Sequence, residues 1–303
     1  MLVLHHGSAN MIDTYLRYLT FEKRYSAHTL TSYQNDLEQF QAFLQEQYQQ
    51  NELSRAEFTH IRAWIVSLVD EKLQARSINR KIASLRSFYK FLLKRELIQQ
   101  DPCLRIKALK TPKALPHFVQ EKELSQLLDQ FPFTNDFSGS RDKLVLELLY
   151  ATGIRLAELI GLREESVDMK AGTIRVLGKR NKERVIPVSL AMKAVMEQYL
   201  AQKNSLFGKE ANPRLILTDK GEQAYPMFVY RLVKKYLGTF TSSDKQSPHV
   251  LRHTFATHLL DKGADLNAVK DLLGHTSLAA TQVYTHNSLE KLRKVFEQAH
   301  PKA

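Results

Sequence analysis

Six side chains in the second half of this 303-residue chain carry groups that could hold a phosphodiester and attack it: Arg155, Lys179, His249, Arg252, His275 and Tyr284. They occur in that order within the segments TGIRLAEL, LGKRNKER, SPHVLRHTFATHLL and LLGHTSLAATQVYTH. Five supply positive charge or hydrogen-bond donors, and the sixth is a phenol. Guanidinium forks and helix N-termini both bind phosphate oxygens. His249 and Arg252, three residues apart, fall on one face of a helix whose start is marked by Ser247 and Pro248. Arg155 follows Gly153 at another expected helix start. A free phenol has a pKa of about 10, so a tyrosine nucleophile needs neighbouring cations, which also stabilise charge developing on the phosphate.

Plainer readings compete at each position. A buried His–Arg pair can serve packing alone, and most of the 12 tyrosines should be packing residues with a hydroxyl at the surface. A zinc site from His249, His253 and His258 is the weaker alternative, because no fourth Cys or His follows at a familiar spacing. Within LGKRNKER, Lys179 and Lys182 are both available, with Arg180 beside them. No tight Asp/Glu cluster accompanies these segments and no GxxxxGK[ST] loop occurs, so no metal or nucleotide cofactor is expected.

The elements that must position these groups divide the chain in two. Its first hundred residues read as four amphipathic helices: residues 11–24, a second helix after the capping candidate Ser26, a third over 58–71 and a fourth over 75–97. The fourth pairs an apolar stripe (Ile78, Ile82, Leu85, Phe88, Phe91, Leu92) with Arg76, Arg80, Arg86 and Lys90 on other faces. A helix of that kind can lie in a DNA groove with its back on a core. Pro102, Pro112 and Pro116 then interrupt helical periodicity in a basic stretch that reads as a linker. Beyond it, three short extended runs in SVDMKAGTIRVLGKRNKERVIPV interrupt a mostly helical remainder. The expected fold is mainly α, in two domains, with one small three-stranded antiparallel sheet in the second.

Composition agrees with a polyanionic partner. The net charge is +12, shared as +5 over residues 1–110 and +7 over 111–303, as suits two domains gripping one ligand. Cys103 is the only cysteine, so no intramolecular disulfide can form and a cytoplasmic location is expected. No apolar run approaches the ~20 residues of a membrane span, and MLVLHHGSAN lacks the form of a signal peptide.

Taken together, TGIRLAEL, GKRNKER, SPHVLRHTFATHLL, LLGH and VYTH resemble the successive boxes of the Xer-type tyrosine recombinases, a phage-integrase-like family, and the resemblance runs from about Met11 to the end of the chain. It implies a core-binding, SAM-like domain over 1–98, a linker over 99–113 and a catalytic domain over 114–303 ending in an exchange helix. It also implies roles. Arg155, Arg252 and His275 would bind the scissile phosphate, His249 would assist proton transfer, and Lys179 would protonate the leaving 5′ oxygen. Tyr284 would become linked to the 3′ phosphate. The family alignment of the turn is what favours Lys179 over Lys182, and it adds Arg180 and Lys182 to Arg76, Arg80, Arg86 and Lys90 as DNA contacts. Arg180 stands where relatives often have Gly, and Ala157 replaces a common Ser. The implied activity is cutting and rejoining of double-stranded DNA at a two-fold-related site, with chromosome-dimer resolution as its role. The implied partners are homologous or paralogous protomers, four on two sites, and a septal DNA translocase. An integrase of a mobile element is the nearest alternative. A type IB topoisomerase-like enzyme and a DNA-binding module that no longer cleaves are more distant ones.

Overall fold

The computed structural model describes residues 11–112, 117–178, 183–208, 212–241, 245–274 and 298–301. They divide into two units, Met1–Ala114 and Leu115–Ala303. The first unit contains the four expected helices: α1 (Met11–Phe21), α2 (Ala27–Tyr48), α3 (Phe58–Asp70) and α4 (Ala75–Lys94). Ser26 caps α2, its hydroxyl accepting from the Thr29 amide at 3.3 Å. The six apolar residues expected on α4 are all buried, among Tyr15, Phe40 and Trp64. Helices α1 and α4 stop three residues short of the expected ends, since a hydrophobic stripe marks where a helix packs better than where it terminates.

The stretch read as a linker is in part held by this unit. Cys103 and Ile106 belong to its core. Asn79 bonds both backbone polar groups of Leu109, at 2.9 and 2.8 Å, and Arg86 donates to the Ile106 carbonyl. The prolines do exclude a helix, but a non-helical segment still packs when its backbone groups find partners.

In the second unit α5 (Glu121–Ser125) leads through one wide π turn to α6 (Phe137–Thr152), the centre of the unit. Only Ser138 and Lys143 of α6 escape burial. After α7 (Leu156–Gly161) comes the sheet of β1 (Val167–Asp168), β2 (Thr173–Leu177) and β3 (Glu183–Pro187), antiparallel and in that order. Helices α8 (Leu190–Phe207), α9 (Pro226–Phe240), α10 (Pro248–Asp261) and α11 (Leu266–Leu273) complete it. Near the chain's end Ala299 and His300 are buried, with the His300 ring 5.0 Å from that of Tyr150 and 5.3 Å from that of Phe255. None of the described helices is long and apolar enough to cross a membrane.

Candidate phosphate-binding site

The site begins where α6 ends. Gly153 takes φ +58°, and a Cβ there would lie 2.5 Å from the Phe255 ring, so only glycine lets the chain turn here against α10. Two residues on, Arg155 is the N-cap of α7. Its backbone amide donates to Glu158 Oε2 at 2.8 Å and its Nη1 to Oε1 at 2.8 Å. Arg184, reaching in from β3, takes the same carboxylate in a two-pronged grip, Nη1 to Oε1 at 3.0 Å and Nη2 to Oε2 at 2.9 Å. Each Glu158 oxygen thereby accepts two bonds, which fills the acceptor capacity of a carboxylate.

A third arginine joins at the far end of α11. The last carbonyls of a helix lack intrahelical partners and carry the negative end of its dipole. Here Leu272 accepts from Arg184 Nε at 3.0 Å, Leu273 from Arg252 Nη2 at 2.7 Å, and Gly274 from Arg155 Nη2 at 3.2 Å. Arg252 Nη1 also donates to the Gly153 carbonyl. Three guanidinium groups are thus anchored on three successive carbonyls of one helix end.

Charge in this cluster does not balance. Among the described residues three arginines face one glutamate, and Arg184, Arg252 and Glu158 are 4%, 7% and 8% exposed. Burial, then the charges of Arg155 and Arg184, pull the Arg252 guanidinium down to about 10, with Glu158 opposing them. Burial alone would raise the Glu158 carboxyl; the hydrogen bonds and charge of Arg184, then those of Arg155, outweigh it and hold it below its ordinary value. The Arg155 side chain, 37% exposed, is the open edge of the cluster. An anion seated there would neutralise the excess, and a phosphate with two free oxygens matches guanidinium geometry.

His249 is exposed one turn before Arg252, on the first turn of α10. Pro248 holds the first helical position, whereas the Ser247 hydroxyl makes no capping bond. Burial, then the neighbouring His249, lowers the pKa of His253, so its imidazole is neutral at pH 7. His258 lies about half a rotation from His249 and is buried, its Nδ1 2.9 Å from the Tyr150 hydroxyl, so the three histidines do not converge on one ion.

Arg155 and Arg252 are thus brought together, with His249 one turn away. Lys179, Arg180, Lys182, His275 and Tyr284 lie outside the described residues, as do Leu289, Leu292, Val295 and Phe296 of the expected exchange helix. In sequence, 179–182 separate β2 from β3, and His275 directly follows Gly274. In the first unit, Arg76, Arg80 and Lys90 are exposed on α4. Arg80 grips buried Asp36 through both terminal nitrogens, and half-buried Arg86 donates to the Ile106 carbonyl through one of its own. Reading by residue type missed Glu158, Arg184 and Asp36. Glu158 lay in view three residues after Arg155, but its partner Arg184 is 26 residues further on.

Residues 117–291 match the phage integrase family, and residues 12–96 match the phage integrase N-terminal SAM-like domain. The chain is 36% identical to the tyrosine recombinase XerC of Chlorobaculum parvum, over 96% of this chain and 94% of the relative. It is equally 36% identical to XerD of Staphylococcus haemolyticus, over 97% and 99%. Its fold is similar to that of the XerH site-specific recombinase solved on its palindromic difH substrate, with a TM-score of 0.70 and 20% identity, covering 94% of this chain and 93% of that one.

Proposed function

This chain belongs to the phage integrase family as an Xer-type tyrosine recombinase, an enzyme that cuts and rejoins DNA at specific sites, and from that premise we propose that it resolves chromosome dimers at cell division. The reaction proceeds through a 3′-phosphotyrosyl intermediate. Tyr284 attacks the phosphorus, the bond to the 5′ oxygen breaks, and Lys179 gives that oxygen its proton. Arg155, Arg252 and His275 hold the non-bridging oxygens while charge builds on them, and His249 assists proton transfer from the phenol. The phosphotyrosine conserves the energy of the broken linkage, so a 5′ hydroxyl from the partner strand can rejoin it. Residues 1–98 form the core-binding domain, 99–113 the linker and 114–303 the catalytic domain.

The observation that carries this reading is the excess of buried positive charge around Arg155 and Arg252, which an anion must complete. The substrate is double-stranded DNA in the cytoplasm, contacted also by Arg76, Arg80, Arg86, Lys90, Arg180 and Lys182. Four protomers act on two sites, joined through the C-terminal helix. Equal identity to an XerC and an XerD favours work with a paralogue, and a septal DNA translocase is a further partner.

The chemistry is tested with nicked suicide DNA, which traps the covalent intermediate. Wild type should form an adduct, whereas Tyr284→Phe should bind the DNA and form none; an adduct on Tyr284→Phe would refute the assignment. The cellular role is tested by mapping trapped DNA on the chromosome. One site near the replication terminus is expected, and sites at the ends of mobile elements would favour the integrase alternative.

A further inference from the structure

We propose that Arg184 is a positioning residue for phosphate binding: by occupying Glu158 from the side of β3, it keeps the Arg155 guanidinium facing the substrate. The inference rests on the recombinase reading above. Arg155 and Glu158 are three residues apart at the start of a six-residue helix, and left to themselves they would close into a two-pronged ion pair. That pair would be neutral overall and would turn both terminal nitrogens of Arg155 away from a ligand. Arg184 prevents it. Its two bonds take one acceptor position on each carboxylate oxygen, and the Arg155 backbone amide takes another on Oε2. A single side-chain bond remains for Arg155, Nη1 to Oε1, and its Nη2 is sent to the Gly274 carbonyl instead.

Arg184 can impose this because it is itself fixed. It lies on β3 opposite Val176 of β2, is 4% exposed, and is tied through Nε to the Leu272 carbonyl. A Cβ on Gly274 would stand 3.2 Å from its Cδ, so the side chain runs directly beneath the left-handed glycine that ends α11. The cluster therefore has a division of labour. Arg184 neutralises Glu158, and Arg155 and Arg252 keep their charge for the phosphate.

Single-turnover cleavage of nicked suicide DNA at saturating protein tests this, with DNA affinity and thermal unfolding measured alongside. Arg184→Gln should slow cleavage by roughly 10²-fold with DNA affinity little changed, since a catalytic group displaced by about 1 Å costs that much. Arg184→Lys, which reaches the carboxylate with one point charge, should fall between the two. On an Arg155→Lys background, where no fork remains to be aimed, Arg184→Gln should add less than about threefold. Wild-type rates in Arg184→Gln, or the same loss on both backgrounds, would reduce Arg184 to a structural ion pair. If Arg184→Gln does not fold, Arg184→Lys carries the same comparison on both backgrounds. A wild-type chain that forms no adduct overturns the recombinase chemistry and this inference with it, while an adduct insensitive to Arg184 overturns the inference alone.

Discussion

Each unit of the molecule buries a carboxylate beneath cations, and the two clusters differ in what they leave over. In the first unit Asp36, wholly buried on α2, accepts from Arg80, from Lys81 at 3.2 Å and from the Ser84 hydroxyl at 2.6 Å, all on α4. Lys81 has further partners in the Gln39 side-chain carbonyl and the Trp64 ring. The result is a brace between two helices. In the second unit a single Glu158 accepts from Arg155 and Arg184, and these two and Arg252 also donate to helix-end carbonyls, which offer partial charge only. The ion-pair chemistry is the same. The first cluster has one positive charge in excess, on Arg80, whose side chain is 47% exposed to water, whereas the second has two in excess, with Arg184 and Arg252 buried and Arg155 reaching solvent.

Stability separates the two clusters most directly. Asp36→Asn and Glu158→Gln each leave buried cations without their counter-charge and should each cost about 3–5 kcal/mol in urea unfolding. Sulfate should restore more of the loss in Glu158→Gln, where an anion beside Arg155 meets three cations, than in Asp36→Asn, where Arg80 is equally open but only Lys81 stands with it. Equal rescue of both would mean that the second cluster holds no more uncompensated charge than the first.

Cleavage separates them next. Arg252→Lys keeps a positive charge but loses the planar fork, so the single-turnover rate should fall by roughly 10²–10³-fold. Arg80→Lys should leave that rate within about twofold at saturating DNA, since it lies outside the cluster around Glu158. Comparable losses would show that Asp36 and its partners also serve the chemistry.

The smallest effect is in pH. The Arg252 guanidinium is held down to about 10 by burial and its cationic neighbours, and in the proposed role it would grip phosphate only when protonated. Its contribution is complete below that value and lost as pH rises through it, so kcat/KM should drop to about half near pH 10. Bound phosphate raises the pKa again, and kcat at saturating DNA should persist to higher pH. A kcat/KM that stays flat to pH 11 would mean that the arginine retains its ordinary affinity for protons.

The sequence displayed the groups proposed to act and concealed those that hold them. Arg155, His249 and Arg252 were legible because each stands at a helix start with local punctuation: Gly153 before one, Ser247 and Pro248 before the others. The four helices of the first unit and the three strands were legible because one face of each is buried and the other wet. Helix α6 was not, since burial on all sides erases the periodicity that reveals a helix. The Arg184–Glu158 and Arg80–Asp36 pairs were hidden for another reason. Their members are 26 and 44 residues apart, and no local pattern tells a buried charge from a solvated one.

The bonds that anchor the arginines have a consequence for the birth of the protein. Arg155, Arg184 and Arg252 reach carbonyls 119, 88 and 99 residues away along the chain. Contacts of such span form late, after large loops have closed. During synthesis Arg155 leaves the ribosome long before Gly274 exists. A chain interrupted before that residue carries its arginines without their moorings. The capacity to cut DNA therefore arrives only with a nearly finished molecule.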